Sequence, residues 1–311
     1  MQFSIVIPIY GDGYLARNCC EELRHVFQAY FEKTDISADM ELIFINDGSP
    51  NNSLEILKEV RNDFNFVKVV DLSRNFGQHA AIACGFQLAS GKYIMRMNVD
   101  CQDPPSEAPK LLDAVRTGQY DLVIGQYKKR NSPLMDRITS KLYFWIFELF
   151  TGLRSPPHTS PMRVMNRAFV DVYNSLTEKA RFPQGLDQWL GFRHHYVEII
   201  HRERADGKSS YNFRKRLRLA LTGILYFSDR PLKFIAGIGL AFALIGALLG
   251  AFVVVQKLLG ATVMPGYTSL AAIGLIGFGL QVGSTGVLGL YLGRVFTEVQ
   301  NRPLYIVREI L

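Results

Sequence analysis

The chain has 311 residues, 48% of them hydrophobic and 20% charged, with a formal net charge of +7. That length allows one large domain or two ordinary ones. The apolar residues are too abundant and too unevenly placed for a disordered or nucleic-acid-coating chain. The four cysteines, Cys19, Cys20, Cys84 and Cys101, form no CxxC pair and no His/Cys spacing that suits zinc, so reduced cytosolic thiols are expected.

Taken in order, Ser4–Pro8 is a short apolar run stopped by proline and reads as a buried first strand. The chain enters it at once, with no basic leader and cleavage site, so no signal peptide is expected. Tyr10-Gly11-Asp12-Gly13 is a loop, and residues 14–31 have helical spacing. A second strand at 41–45 leads to the turn Asn46-Asp47-Gly48-Ser49-Pro50, after which Asn52 or Ser53 is the expected cap of a helix reaching Arg61. A third strand at 66–70, a helix at 78–89, a fourth strand at 92–97, a helix at 106–117 and a fifth strand at 121–125 follow. Strands alternating with helices predict an α/β fold, a mostly parallel sheet with helices on both faces. The polar turns at 10–13, 46–49 and 98–103 all follow strands, so a parallel sheet brings them to one edge, where ligands bind in such folds.

The stretch Asn98-Val99-Asp100-Cys101-Gln102-Asp103-Pro104-Pro105 ends the fourth strand in two prolines that cannot extend a ladder. It reads equally as a polar β-turn or as hard oxygen ligands for Mg²⁺ or Mn²⁺ carrying a phosphorylated substrate. No GxxxxGK[ST], no strand-borne GxGxxG and no GxSxG occurs, which removes P-loop, dinucleotide-type and serine-hydrolase chemistry. Tyr10 can stack on a base, and Asp12 and Asp47 can accept hydrogen bonds from base or ribose.

Two uncharged runs, Phe234–Val255 and Leu258–Gly293, predict transmembrane helices near 232–256 and 268–292. Arg202, Arg204, Lys208, Arg214, Lys215, Arg216, Arg218, Arg230 and Lys233 precede the first, and Arg294, Arg302 and Arg308 follow the second, so both flanks are expected on the cytoplasmic side. The spans contain three GxxxG patterns, beginning at Gly246, Gly279 and Gly289, and nothing ionisable deep inside. Residues 133–150 form a broad aromatic-rich stripe that suits a core helix or an interfacial one. Residues 213–231 read as a basic juxtamembrane amphipathic helix. The expected organisation is a cytosolic catalytic domain at 1–212, that helix, two spans within 232–292, and an extended cytosolic tail at 293–311.

The ordered set Ile5-Val6-Ile7-Pro8-Ile9-Tyr10, Asn46-Asp47-Gly48-Ser49, Leu72–Gly77, Asp100-Cys101-Gln102-Asp103-Pro104-Pro105, Asp206–Tyr211 and Phe227–Leu232 resembles the family 2, GT-A-fold glycosyltransferases. Within them it is similar to the polyprenyl-phosphate transferases, such as dolichol-phosphate mannose synthases and bactoprenol glucosyltransferases. The resemblance covers nearly the whole chain. It implies transfer of a sugar from a nucleotide sugar to a membrane polyprenyl phosphate, with inversion, in the bacterial inner membrane. It implies a nucleotide held by Pro8, Tyr10, Asp12, Asn46, Asp47 and Asn98, and a divalent metal, Mg²⁺ or Mn²⁺, on Asp100 and Gln102. Asp100 and Asp103 are the candidate catalytic carboxylates. The acceptor is already an anion, so cations to position it matter more than a base; the candidates are Lys128, Arg137, Ser140, Arg163, Arg202 and Lys208. Asn46 and Asn98 stand where relatives carry acids, Asp12 stands where a Glu is usual, and Ser160-Pro161-Met162-Arg163 lacks an acid that many relatives have. Those losses motivate an alternative, a non-catalytic membrane scaffold. A processive polysaccharide synthase is the third reading, weakened by the absence of a QxxRW motif and by only two spans. A homo-oligomer is compatible with the glycine patterns, and no nucleic-acid partner is expected.

Overall fold

The computed structural model describes residues 2–128, 148–152, 158–179, 181, 183–202, 228–259 and 266–311. Most of the interfacial stripe at 133–150, most of the juxtamembrane segment at 213–231 and the centre of the loop between the spans lie outside them, as do Arg137, Ser140 and Lys208. The chain divides into two units: Met1–Phe144 with Leu153–Asn212 and Pro303–Leu311, and Trp145–Gly152 with Phe213–Arg302.

The first unit is built on an eight-stranded sheet. In chain order its elements are β1 (Phe3–Ile9), α1 (Ala16–Phe31), β2 (Met40–Asn46), α2 (Ser53–Asp63), β3 (Val67–Leu72), α3 (Gln78–Leu88), β4 (Tyr93–Arg96), α4 (Ala108–Arg116), β5 (Leu122–Tyr127), β6 (Thr159–Asn166), α5 (Arg167–Ser175), α6 (Pro183–Trp189) and β7 (His194–Ile199). After the second unit comes β8 (Val307–Ile310). The order across the sheet is β7-β5-β6-β4-β1-β2-β3-β8. β1 pairs in parallel with β2 and with β4, and β2 with β3. β6 runs antiparallel between β4 and β5, and β7 is parallel to β5.

The strands read as continuous apolar runs because both faces are covered, as parallel sheets require. Ile5, Val6, Ile7 and Ile9 of β1 and Leu42, Ile43, Phe44 and Ile45 of β2 are all buried. The amphipathic helices α1, α2 and α4 bury one stripe each, Cys19, Leu23 and Phe27 on α1, Leu57 and Val60 on α2, Leu111, Leu112 and Val115 on α4. α3 is different: seven consecutive residues, Ala80–Phe86, are buried. Its Gly85 lies against β1 so closely that a Cβ would stand 2.2 Å from Cγ1 of Val6.

The edge opposite the strand carboxyl ends is tied by one buried carboxylate. Glu41 accepts from Ser4 Oγ at 2.6 Å, from Ser90 N and Oγ at 2.7 Å each, and from Lys68 Nζ at 2.6 Å. Burial raises its pKa, but the bonds from Lys68, Ser4 and Ser90 together outweigh that and hold it at about 2.

Three features differ from the sequence reading. The expected tail at 293–311 does not remain apart: its last residues form β8, antiparallel to β3. Leu311 and Val69 exchange both backbone bonds, at 2.8 and 3.1 Å, and Arg308 Nη1 reaches buried Asp71 at 3.1 Å. The stretch is short and carries charges at 308 and 309, so its pairing with β3 leaves little sequence signal. Second, β6 and β7 were not foreseen, and β6 makes the sheet mixed. Third, neither Asn52 nor Ser53 caps α2 with its side chain. Ser53 Oγ instead accepts from Gly13 N at 3.1 Å, binding the first strand's loop to the second helix.

In the second unit, α7 (Arg230–Leu258) and α8 (Tyr267–Val299) have 29 and 33 residues, roughly 43 and 50 Å at 1.5 Å per residue. Both are long and apolar enough to cross a membrane, over Arg230–Phe252 and Ile276–Val299, and neither window is buried in protein. α8 runs past the expected 292 because no proline or left-handed residue intervenes before Asn301, at φ 46°, and Pro303. Among the described residues, nothing outside the local helix backbone lies within 4 Å of where a Cβ would stand on Gly246, Gly250, Gly279, Gly283, Gly289 or Gly293.

Two stability outcomes are expected from this unit-by-unit packing. Gly85→Ala overpacks α3 on β1 and should cost about 1–3 kcal/mol, read as a lowered unfolding temperature of the full chain in detergent. Glu41 has a depressed folded pKa, so its contribution is complete above the unfolded value of 4.5 and lost as pH falls toward about 2. The gap in unfolding temperature between wild type and Glu41→Gln should therefore shrink between pH 5 and pH 3; a constant gap would show that the carboxylate's charge is not what stabilises.

Candidate active site

Strand order reverses at β1, with β2 and β3 on one side and β4 on the other. The carboxyl ends of β1, β2, β3, β4, β5 and β7 therefore share one edge with the start of the antiparallel β6. That edge carries Tyr10–Gly13, Asp47–Asn51, Ser73–Gly77, Met97–Asp103, Tyr127-Lys128, His158–Ser160 and Ile200–Arg202, a crevice at a topological switch point.

The turns on the β1–β3 side brace one another. Asp12 Oδ1 accepts from Tyr10 N at 3.0 Å, Gly11 N donates to Ser49 Oγ at 3.0 Å, and Asn51 Nδ2 donates to Gly11 O at 2.9 Å. Asp47 is buried and its two carboxylate oxygens accept from Phe76 N at 2.7 Å and Gly77 N at 2.9 Å. Burial raises the Asp47 pKa, and those two amides pull it down. Gly48, at φ 62°, passes so close to the next turn that a Cβ would lie 2.4 Å from the carbonyl carbon of Arg74. Asn46 is buried, donating to Asp71 Oδ1 at 2.7 Å and accepting from Ser49 N at 3.3 Å. It links the turn to β3 from within the sheet. Pro8 lies within β1, in register with Ile45. The Tyr10 ring is 54% exposed and available for stacking.

At the end of β4, Cys101 has φ 47°, a left-handed conformation that costs a non-glycine residue about 1–2 kcal/mol. It reverses the chain between Asp100 and Gln102, and Gln102 N donates to Asp100 Oδ1 at 3.3 Å. Gln78 Nε2 donates to Asn98 Oδ1 at 3.3 Å. Burial raises the Asp12 pKa, the Tyr10 amide opposes that, and the charge of Asp100 adds to the rise. Among the described residues there is no cluster of three or more His, Cys, Asp or Glu to cage an ion. Asp100 and Gln102 bring one carboxylate and one carboxamide to this edge.

The β5–β7 side holds a second group. Asp103 is only 6% exposed. Its Oδ2 accepts from Ser160 Oγ at 2.5 Å and its Oδ1 lies 3.4 Å from Nδ1 of His201. Ser160 Oγ accepts from Met162 N at 2.8 Å. Asp103, expected as a fallback base, is thus enclosed with both oxygens engaged. Lys128 stands 3.7 Å from Glu198, and Arg202 bonds both oxygens of Glu22 at 3.1 and 2.9 Å, while its backbone N donates to Gln102 O at 2.8 Å. Arg163, expected beside the acceptor, is 3% exposed and paired with buried Asp187. The pairing of β6 with β4 puts it in register with Arg96. Burial, then the charge of Arg163, brings the Arg96 pKa down to about 9. This cluster braces the underside of the edge. The sequence reading missed Ser160, His158 and His201 as site residues. His201 is 98 positions from Asp103, and only the fold brings them together.

The chain matches the glycosyl transferase family 2 profile over residues 4–173. It is 33% identical to an uncharacterized glycosyltransferase of Synechocystis sp., over 100% of this chain and 96% of that one. It is 32% identical to the SfII prophage-derived bactoprenol glucosyl transferase of Shigella flexneri, over 99% of this chain and 98% of that one. To the undecaprenyl-phosphate 4-deoxy-4-formamido-L-arabinose transferase of Proteus mirabilis it is 29% identical, over 99% and 93%. The protein belongs to glycosyl transferase family 2, and the mixed α/β sheet described above is the GT-A-type architecture expected from the motifs.

Asp47→Ala leaves the Phe76 and Gly77 amides unpaired beneath the crevice, each costing about 1–3 kcal/mol. Affinity for a nucleoside diphosphate, measured by titration calorimetry, should fall at least tenfold, with a smaller loss for Asp47→Asn.

Proposed function

We propose that this glycosyltransferase moves a sugar from a nucleotide-diphosphate sugar to the phosphate of a membrane polyprenol such as undecaprenyl phosphate. The observation that carries the reading is the convergence of the Tyr10–Asp12, Asp47 and Asp100–Gln102 turns at one sheet edge, where the charge of Asp100 reaches Asp12. Tyr10 stacks on the base, and Asp12 accepts hydrogen bonds from base or ribose. Asp47 keeps the Phe76–Gly77 backbone in place beneath them. Asp100 and Gln102 hold a divalent cation, which supplies charge stabilisation to the departing diphosphate. Asn98 carries no charge, so one fewer negative group faces the diphosphate. The acceptor phosphate attacks the anomeric carbon from the side opposite the diphosphate and inverts it. An already ionised nucleophile needs positioning, and Lys128 and Arg202 stand at the same edge with partners that exposed ion pairs hold only weakly. Arg137, Ser140 and Lys208 remain candidates for the same role.

Two long apolar helices support attachment to the membrane that contains the acceptor. The basic residues outside both runs support a cytoplasmic placement of the sheet. The names of the Shigella and Proteus relatives support a polyprenyl acceptor.

The test is mass spectrometry of the lipid after incubating the purified full chain with undecaprenyl phosphate, Mg²⁺ or Mn²⁺ and a panel of nucleotide sugars. One sugar should add a single increment to the lipid, and Asp100→Ala should lower the yield at least a hundredfold. No increment across the panel would leave the non-catalytic scaffold as the better reading.

A further inference from the structure

A cavity of about 590 Å³ opens at the ends of β5 and β7, lined by Tyr127, Lys128, His158, Glu198, Ile199, Ile200 and His201. Its wall is mixed. Exposed Ile200 and the Tyr127 ring are apolar, and Ile199 belongs to the core. His158, His201 and the ion pair of Lys128 with Glu198 at 3.7 Å are polar. At its inner side His201 is fixed on two sides: its Nδ1 meets Asp103 at 3.4 Å, and its ring lies 4.5 Å from that of Tyr127. Asp103 is in turn fixed by Ser160 at 2.5 Å. A buried carboxylate against Nδ1 keeps a proton there and leaves Nε2, on the far side of the ring, as the nitrogen with bonding capacity to offer.

We propose that His201, oriented by Asp103, binds the phosphate of a prenyl phosphomonoester seated in this cavity. The inference rests on the proposed polyprenyl-phosphate acceptor and names a residue for it. The lining suits that chemical class, because Ile200 and the Tyr127 ring offer apolar surface while His201, His158 and Lys128 offer groups that bond a phosphate. The turns proposed for a nucleoside diphosphate lie across the sheet. From β5 to β1 is three strand spacings, roughly 14 Å. The distance to the metal turn is short by contrast. Asp103 directly follows Gln102 in the chain, and Arg202, next to His201, bonds the Gln102 carbonyl at 2.8 Å. A phosphate on Nε2 therefore stands beside the turn that would hold the donor's diphosphate. With Nδ1 turned to Asp103, Nε2 is the nitrogen that meets the phosphate, and the hydrogen bond between them takes its proton from the imidazole or from the phosphomonoester. The other charged or titratable groups facing the ring region are Tyr127 and Lys128 from β5, His158 before β6 and Glu198 from β7. Ser160 and Asp103 act through His201 and are positioning residues.

Binding of farnesyl phosphate to the full chain in detergent micelles, by titration calorimetry, tests this without turnover. His201→Ala should weaken binding at least tenfold while leaving nucleoside diphosphate affinity unchanged. His201→Gln, whose amide N–H falls near Nε2, should recover part of the loss. His201→Asn, whose amide falls near Nδ1, should behave like alanine. Farnesol should bind at least tenfold more weakly than farnesyl phosphate to wild type and equally to all variants. Wild-type affinity in His201→Ala, or equal affinity of wild type for farnesol and farnesyl phosphate, would overturn the assignment. The product analysis above decides the transfer reaction independently, so lipid glycosylation with farnesyl phosphate binding indifferent to His201 would remove this residue alone.

Discussion

The parallel pairing of β1, with β2 on one side and β4 on the other, is the constraint on which the rest depends. It makes the strand order turn back at the centre of the sheet. Loops that leave in opposite directions then open a crevice without any residue being removed from the core. The pairing itself depends on dry contact: Ile5, Ile7 and Ile9 on one face, and Val6 against the glycine of α3 on the other. A shift of one residue in β1 would exchange those faces and move Tyr10 and Asp12 off the edge.

The two edges of the sheet use buried carboxylates in opposite ways. Glu41 gathers four hydrogen bonds and ends with a low pKa, so its charge is satisfied within the protein. Asp12 is raised, by burial first and also by the charge of Asp100, against the pull of the Tyr10 amide. The crevice edge has also exchanged two expected acids for Asn46 and Asn98. Asn46 shows why the exchange is tolerable at one of these positions. Its carboxamide both donates to Asp71 and accepts from Ser49, whereas a carboxylate there would face Asp71 with no proton to offer.

The first half of the fold was legible because β1–β5 are short apolar runs separated by helices of clear period. The turn at 98–103 was legible because two prolines follow it at once and end any ladder. β6, β7 and β8 were not, for a physical reason. They pair with strands distant in the chain, and β7 and β8 are largely exposed strands whose residues alternate poorly. On the acceptor side the local sequence is silent for the same reason. Arg163 is buried against Asp187, 24 positions away. His201 meets Asp103, 98 positions away, so only the fold shows that contact.

The return of the chain to the sheet through β8 sets an order of manufacture. α7 and α8 are synthesised before Val307–Leu311, and Asp71 gains Arg308 only when those last residues arrive. Until then β3 is a bare edge with unpaired backbone groups, and the acid that steadies Asn46 lacks its guanidinium partner. The β3 side of the crevice therefore reaches its final form after both apolar helices have been made, which couples completion of the sheet to completion of the second unit.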